Sequence, residues 1–128
     1  MFNFLRLKFV FVLLFSVLIT SGYSEEKNIT YLEILENPND LDLNLTYAKQ
    51  QGELGNFKQT IATLERLNIV YPDNVEIKLY LLSVLVQIDS PEKAKTIIEE
   101  MKLRKDLETE DLETLQEIEE ELKEIEPS

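Results

Sequence analysis

The sequence predicts an all-α fold: a short α-solenoid of helix-turn-helix hairpins closed by a C-terminal capping helix. Of two Pro-Asx-Asx turns, Pro38-Asn39-Asp40 and Pro72-Asp73-Asn74, the second starts 34 positions after the first (38 to 72). Gly55 and Ala94 place small residues where paired helices of that length must turn or cross closely. Phe57, Ile61, Leu64, Leu67 and Tyr71 recur at helical spacing and form one apolar stripe. A pattern returning at a fixed period of this length means stacked units that bury a shared core.

The first 24 residues read as a signal peptide. Arg6 and Lys8 precede an apolar run, Phe9 to Ile19, and Ser21-Gly22-Tyr23-Ser24 offers small residues for cleavage before Glu25. A retained membrane anchor is the alternative. About 12 helical residues reach only about 18 Å, against a hydrocarbon core of about 30 Å. No cysteine follows the run, so a lipid-modified N-terminus has no acceptor.

Beyond residue 24 lie all 25 acids and 11 of the 13 bases, enough negative charge to repel nucleic acid and anionic lipid. With no Cys and no His, the usual zinc, haem and thiol chemistries have no ligands, and no cofactor is expected. Without disulfides, stability must come from packing.

Residues 25–40 read as an N-terminal cap segment. Ile29, Leu32 and Leu35 recur at three-residue spacing and predict a short helix ending at Pro38. Leu41 to Glu53 carries two patterns. Leu41, Leu43, Leu45 and Tyr47 alternate with polar residues as in a strand, whereas Leu41, Leu45 and Ala48 keep helical spacing. Asp and Asn are poor strand formers, and Pro38 to Gly55 has room for one helix and a turn, so helix is favoured. Gly55-Asn56 then turns the chain into the Phe57–Tyr71 stripe, which Pro72 ends. Val75 to Ile88 is apolar nearly all round and reads as a buried central helix.

Ser90 is a good N-cap, and Pro91 suits the first helical position. Ala94, Ile97, Ile98 and Met101 mark the inward face of that helix, with Glu92, Lys95, Glu99 and Lys102 outward. The last segment, 105–128, holds a helix with Thr109 as its expected cap and Leu112, Leu115, Ile118, Leu122 and Ile125 as its apolar stripe. From Asp106 onward it carries 11 acids and one Lys. It reads as a solvating cap over the last unit; docking of a basic partner, or a short coiled coil, is the competing reading.

This register resembles the tetratricopeptide repeat family over Leu41 to Arg104, as two units, 41–74 and 75–104. Thr60 and Ala94 take the small position of the second helices, and Ala48 takes that of the first helix, which becomes Leu82 in the second unit. The chain departs from the family where an early aromatic is expected, at Asn44 and Lys78, and again at Gln51. Ile88-Asp89-Ser90 replaces a glycine turn, and Asp106 stands where a closing proline would fall. The arrangement is also similar to the periplasmic N-terminal region of outer-membrane surface lipoprotein assembly modifiers, in which such repeats precede a β-barrel.

The resemblance implies a module that binds a protein or peptide in the bacterial periplasm, with no activity of its own. The alternatives are an assembly factor anchored by its N-terminus, or the periplasmic part of an outer-membrane barrel protein. By repeat position the partner groove would present Asp42, Leu45, Lys49 and Glu53 from one helix, and Glu76, Leu79, Ser83, Val86 and Gln87 from the next. Exposed Leu79 and Val86 among polar neighbours would suit an extended peptide or a partner helix. Otherwise Leu45, Leu79 and Val86 pack against the caps. A basic partner and self-association both fit the charge and the small number of units.

Other motifs carry less. Asp40-Leu41-Asp42-Leu43-Asn44 opens like a calcium loop, but Leu45 and Gln51 replace the required Gly and Glu, so Asp40 reads as a helix cap. Asn28-Ile29-Thr30 and Asn44-Leu45-Thr46 match the glycosylation pattern by chance. Acid pairs exist, but on solvated faces rather than in a pocket, and the chain is not expected to be an enzyme.

Overall fold

A computed structural model describes residues 27–126. The proposed signal peptide, 1–24, lies outside them. Six helices and no strands are present among the described residues: α1 (Tyr31–Glu36), α2 (Leu41–Glu53), α3 (Phe57–Val70), α4 (Val75–Gln87), α5 (Pro91–Lys102) and α6 (Thr109–Ile125). None of them is long and apolar enough to cross a membrane.

Helix α4 is the hub. It packs on α3, α5 and α6, while α2 packs on α1 and α3, and α6 also touches α5. Ile77, Leu79, Leu81, Leu82, Val84, Leu85 and Val86 are all buried, as an apolar circumference requires. Leu64 and Leu67 bring α3 to this core, Ala94, Ile98 and Met101 bring α5, and Leu115, Ile118 and Leu122 bring α6. Those α6 side chains are spent on the core, so they are not free to form a coiled coil.

The stretch from Leu41 is helical. Asp40 starts it by accepting the Leu43 N–H at 3.0 Å. Asn44 then turns inward, and its Nδ2 donates to the carbonyls of Asn37 (2.8 Å) and Asp40 (2.6 Å). Both acceptors belong to the entering turn, so the polar residue that reads as a strand's outward face locks the first helical turn instead.

Local geometry repeats at the interval of the two proline turns. Asp40, Asn74 and Glu108 are the N-caps of α2, α4 and α6. Asn74 accepts the Ile77 N–H at 2.9 Å, as Asp40 does that of Leu43. The turns at the ends of α2 and α4 carry the same bonds: Asn56 N–H to Gln51 O and Ser90 N–H to Leu85 O, both 2.9 Å. Each turn also needs one left-handed residue, Gly55 at φ 78° and Asp89 at φ 57°. Asp89 therefore does the work of the missing glycine. At the small positions Ala48, Thr60 and Ala94 are fully buried, and Thr60 Oγ1 donates to Ala48 O at 3.2 Å, tying α3 to α2.

Four details differ from expectation. Glu108, not Thr109, caps α6; its N–H donates to Asp111 Oδ2 at 3.1 Å, and Thr109 is the first helical residue. Ser90 sits at the cap of α5, but its hydroxyl makes no cap bond. In α1 the buried residue is Ile34, while Leu32 and Leu35 face out, because Thr30 caps the helix and Tyr31 packs on Tyr47 with ring centroids 6.4 Å apart. Leu112, the first residue of the α6 stripe, is exposed, whereas Leu115, Ile118 and Leu122 are buried.

Candidate interaction surface

The groove residues come from α2 and α4, and two observations bring side chains of these helices together. Lys49 Nζ lies 2.7 Å from Glu76 Oε1. Nearby, Gly52 lets Tyr80 in: a Cβ at Gly52 would stand 2.3 Å from the Tyr80 hydroxyl. That hydroxyl is buried without a hydrogen-bond partner. Burial first, and then the Glu53 carboxylate, push Tyr80 up to about 12, so the phenol is neutral at any ordinary pH.

The polar members of the set reach the surface. Asp42, Glu53 and Glu76 are exposed, and Lys49, Ser83 and Gln87 are partly so. Ser83 turns its hydroxyl back to the Leu79 carbonyl at 2.9 Å. Gln87 holds Oε1 buried with no hydrogen-bond partner. The apolar members do not reach it. Leu79 is 8% and Val86 2% exposed, and Leu45 is buried with them, so the expected exposed leucine and valine are core residues. The alternative, that these three simply pack, is what the side chains do.

What remains on this surface is polar and acidic. On α6, Glu110, Glu113, Glu117 and Glu121 stand one full period after Glu76, Leu79, Ser83 and Gln87. The first three are exposed. Burial, and then Glu117 and Glu124, push the Glu121 carboxyl up. Shifting the groove positions by one more period would have found these residues; the acidic run drew attention as composition, without its register.

A second feature was not legible at all. Asn44 and Lys78, at the two positions lacking aromatics, are buried, and each has one charged partner on the following helix. Arg66 donates to Asn44 Oδ1 at 2.5 Å and also bonds the Pro38 carbonyl. Lys78 Nζ lies 2.8 Å from Glu100 Oε1 and donates to Asn68 Oδ1 at 2.9 Å. Arg66 and Glu100 are themselves separated by the same period.

A shallow apolar depression of about 490 Å³ is lined by Phe57, Lys58, Ile61, Ala62, Glu65 and Ile88, none of them a groove residue. Among the described residues no three His, Cys, Asp or Glu are grouped to hold a metal ion. No known family's model matches the chain, and no curated protein or solved structure is detectably similar to it.

Proposed function

We propose that this chain is an exported, tetratricopeptide-like interaction module that holds a protein partner of basic character in the bacterial periplasm and performs no chemistry itself. One observation carries the reading: caps, turn bonds, left-handed turn residues and polar pairs with one buried member all recur at one shared interval. Stacked hairpins of that length present their first helices as one continuous surface. On this chain that surface would be the α2–α4–α6 face, with Asp42, Lys49, Glu53, Glu76, Ser83 and Gln87, extended by the glutamates of α6. Lys49, the base in that set, is already paired with Glu76, so Asp42 and the α6 glutamates favour a basic segment over an acidic one. The buried Leu79 supports the face from beneath instead of touching the partner. Export rests on Arg6, Lys8 and the Phe9–Ile19 run.

Site-specific photocrosslinking in the producing cell tests this. A photoreactive residue at Ser83 is expected to capture a protein adduct, whereas one at Thr96 on α5 captures none. Glu113→Lys with Glu117→Lys should abolish the Ser83 adduct at unchanged helicity. Equal adducts from both positions, or an adduct indifferent to the charge reversal, discard the face.

A further inference from the structure

The polar pairs, each with one buried member, follow a fixed step. The fourth residue after the cap of α2 is Asn44, and that of α4 is Lys78; each is met by the residue 22 positions further on, Arg66 at 2.5 Å and Glu100 at 2.8 Å. Each pair is chemically matched, amide with guanidinium and ammonium with carboxylate. On α6 the fourth residue after the Glu108 cap is Leu112. On α1 the residue 34 positions before Arg66 is Leu32. Helix α1 is in phase with α3, because Asn37 N–H donates to Glu33 O (3.1 Å) as Tyr71 N–H does to Leu67 O (2.7 Å).

Leu112 and Leu32 are 51% and 63% exposed, one on the last described helix and one on the first. A single exposed leucine is ordinary. Two of them, at the two halves of one pairing position, are a matched apolar pair whose members face solvent separately.

We infer that α1 of one copy packs on α6 of a second copy, with Leu32 lying over Leu112, so that the pairing continues between molecules. The contact is heterologous: one copy offers its first described helix and the other its last, which makes the association head-to-tail. With six residues in α1, the joint is small, so association sets in only as concentration rises. Glu33 and Glu36 on α1 face an acidic α6, so added salt strengthens the joint. The inference uses the repeat register alone and does not depend on the α2–α4–α6 face or its partner.

An asymmetric joint has a specific test. Leu32→Asp and Leu112→Asp change exposed positions, and circular dichroism checks that each variant keeps its helices. In sedimentation velocity on the chain as recovered from expression, the unaltered protein is expected to grow in mass with concentration and with salt. Each variant alone should be monomeric. Their equimolar mixture should regain a dimer and stop there, since each variant keeps the half that the other has lost. The chain has no Cys, so a disulfide between Leu32→Cys and Leu112→Cys copies forms only in a mixture of the two. A monomer at every concentration, which is also the result if residues before Lys27 cover Leu32 within one copy, overturns the inference. So do single variants that assemble normally, or a mixture that stays monomeric.

Discussion

Lys78 is 1% exposed, and its ammonium lies 2.8 Å from a carboxylate oxygen of Glu100, whose side chain is 54% exposed. The two ends of this ion pair therefore respond differently to removal. Without the Glu100 carboxylate, a buried charge keeps only the Asn68 amide oxygen at 2.9 Å. Without the ammonium, Glu100 faces water. We expect Glu100→Ala to destabilise by about 1–3 kcal/mol, and Lys78→Met, which refills the lysine stem, by less than about 1 kcal/mol. Urea denaturation of the two variants measures both, and a larger loss for Lys78→Met would reverse the argument.

Gly52 and Tyr80 form a second coupled pair. Alanine is ordinarily better than glycine inside a helix by about 1 kcal/mol. Here the added Cβ would meet the Tyr80 hydroxyl at 2.3 Å, while the ring carbon that bears it lies at 3.6 Å, an ordinary contact. Gly52→Ala alone should cost about 1–3 kcal/mol. Tyr80→Phe removes a buried, unpaired hydroxyl and should be neutral or stabilising. The double variant should recover the loss, and a thermal-melt double-mutant cycle reads the coupling. Strict additivity would mean that the two residues do not meet.

Acid should act through Glu33 and Glu121 in opposite directions. Hydrogen bonding from Lys27, and then from the Thr30 N–H and hydroxyl, holds the Glu33 carboxyl down at about 2 against its usual 4.5. A depressed folded value contributes stability above the unfolded one, and that contribution is lost as pH falls through the window toward about 2. Glu121, raised by burial and by Glu117 and Glu124, has the other sign. Its contribution is complete below the unfolded value and is lost as pH rises through the folded one. Glu119 on the same helix is held down by Lys102 and opposes Glu121. The Glu121 effect is therefore read as the difference in α6 hydrogen exchange between the unaltered protein and Glu121→Gln on mild acidification, while α1 should open only in stronger acid. Glu121→Gln should raise the melting temperature at neutral pH; a lowered one would contradict the upward shift.

How much of this was legible depended on whether a residue advertised its role by polarity. Helix ends were readable because Asp40, Asn74, Pro91 and Gly55 act locally, through their own bonds or dihedral angles. Leu79 and Val86 were misjudged because α4 is apolar on every side, so no periodicity says which flank another helix covers. Asn44 and Lys78 escaped for the opposite reason. A pattern of apolar residues cannot count a buried lysine, and its partner, Glu100, sits on another helix and gives no local signal. Leu112 and Leu32 looked like ordinary core leucines, since spacing alone does not tell whether a neighbour lies opposite.

The cap-to-cap spacing Asp40, Asn74, Glu108 has an evolutionary corollary. Excising one whole interval joins one helix start to the next in unchanged phase, so Asp40 would lead into Val75 as it now leads into Leu41. Losing or gaining one residue more swings every later side chain by about 100° around its helix. Lineages of this gene that vary in size are thus expected to grow and shrink in whole modules.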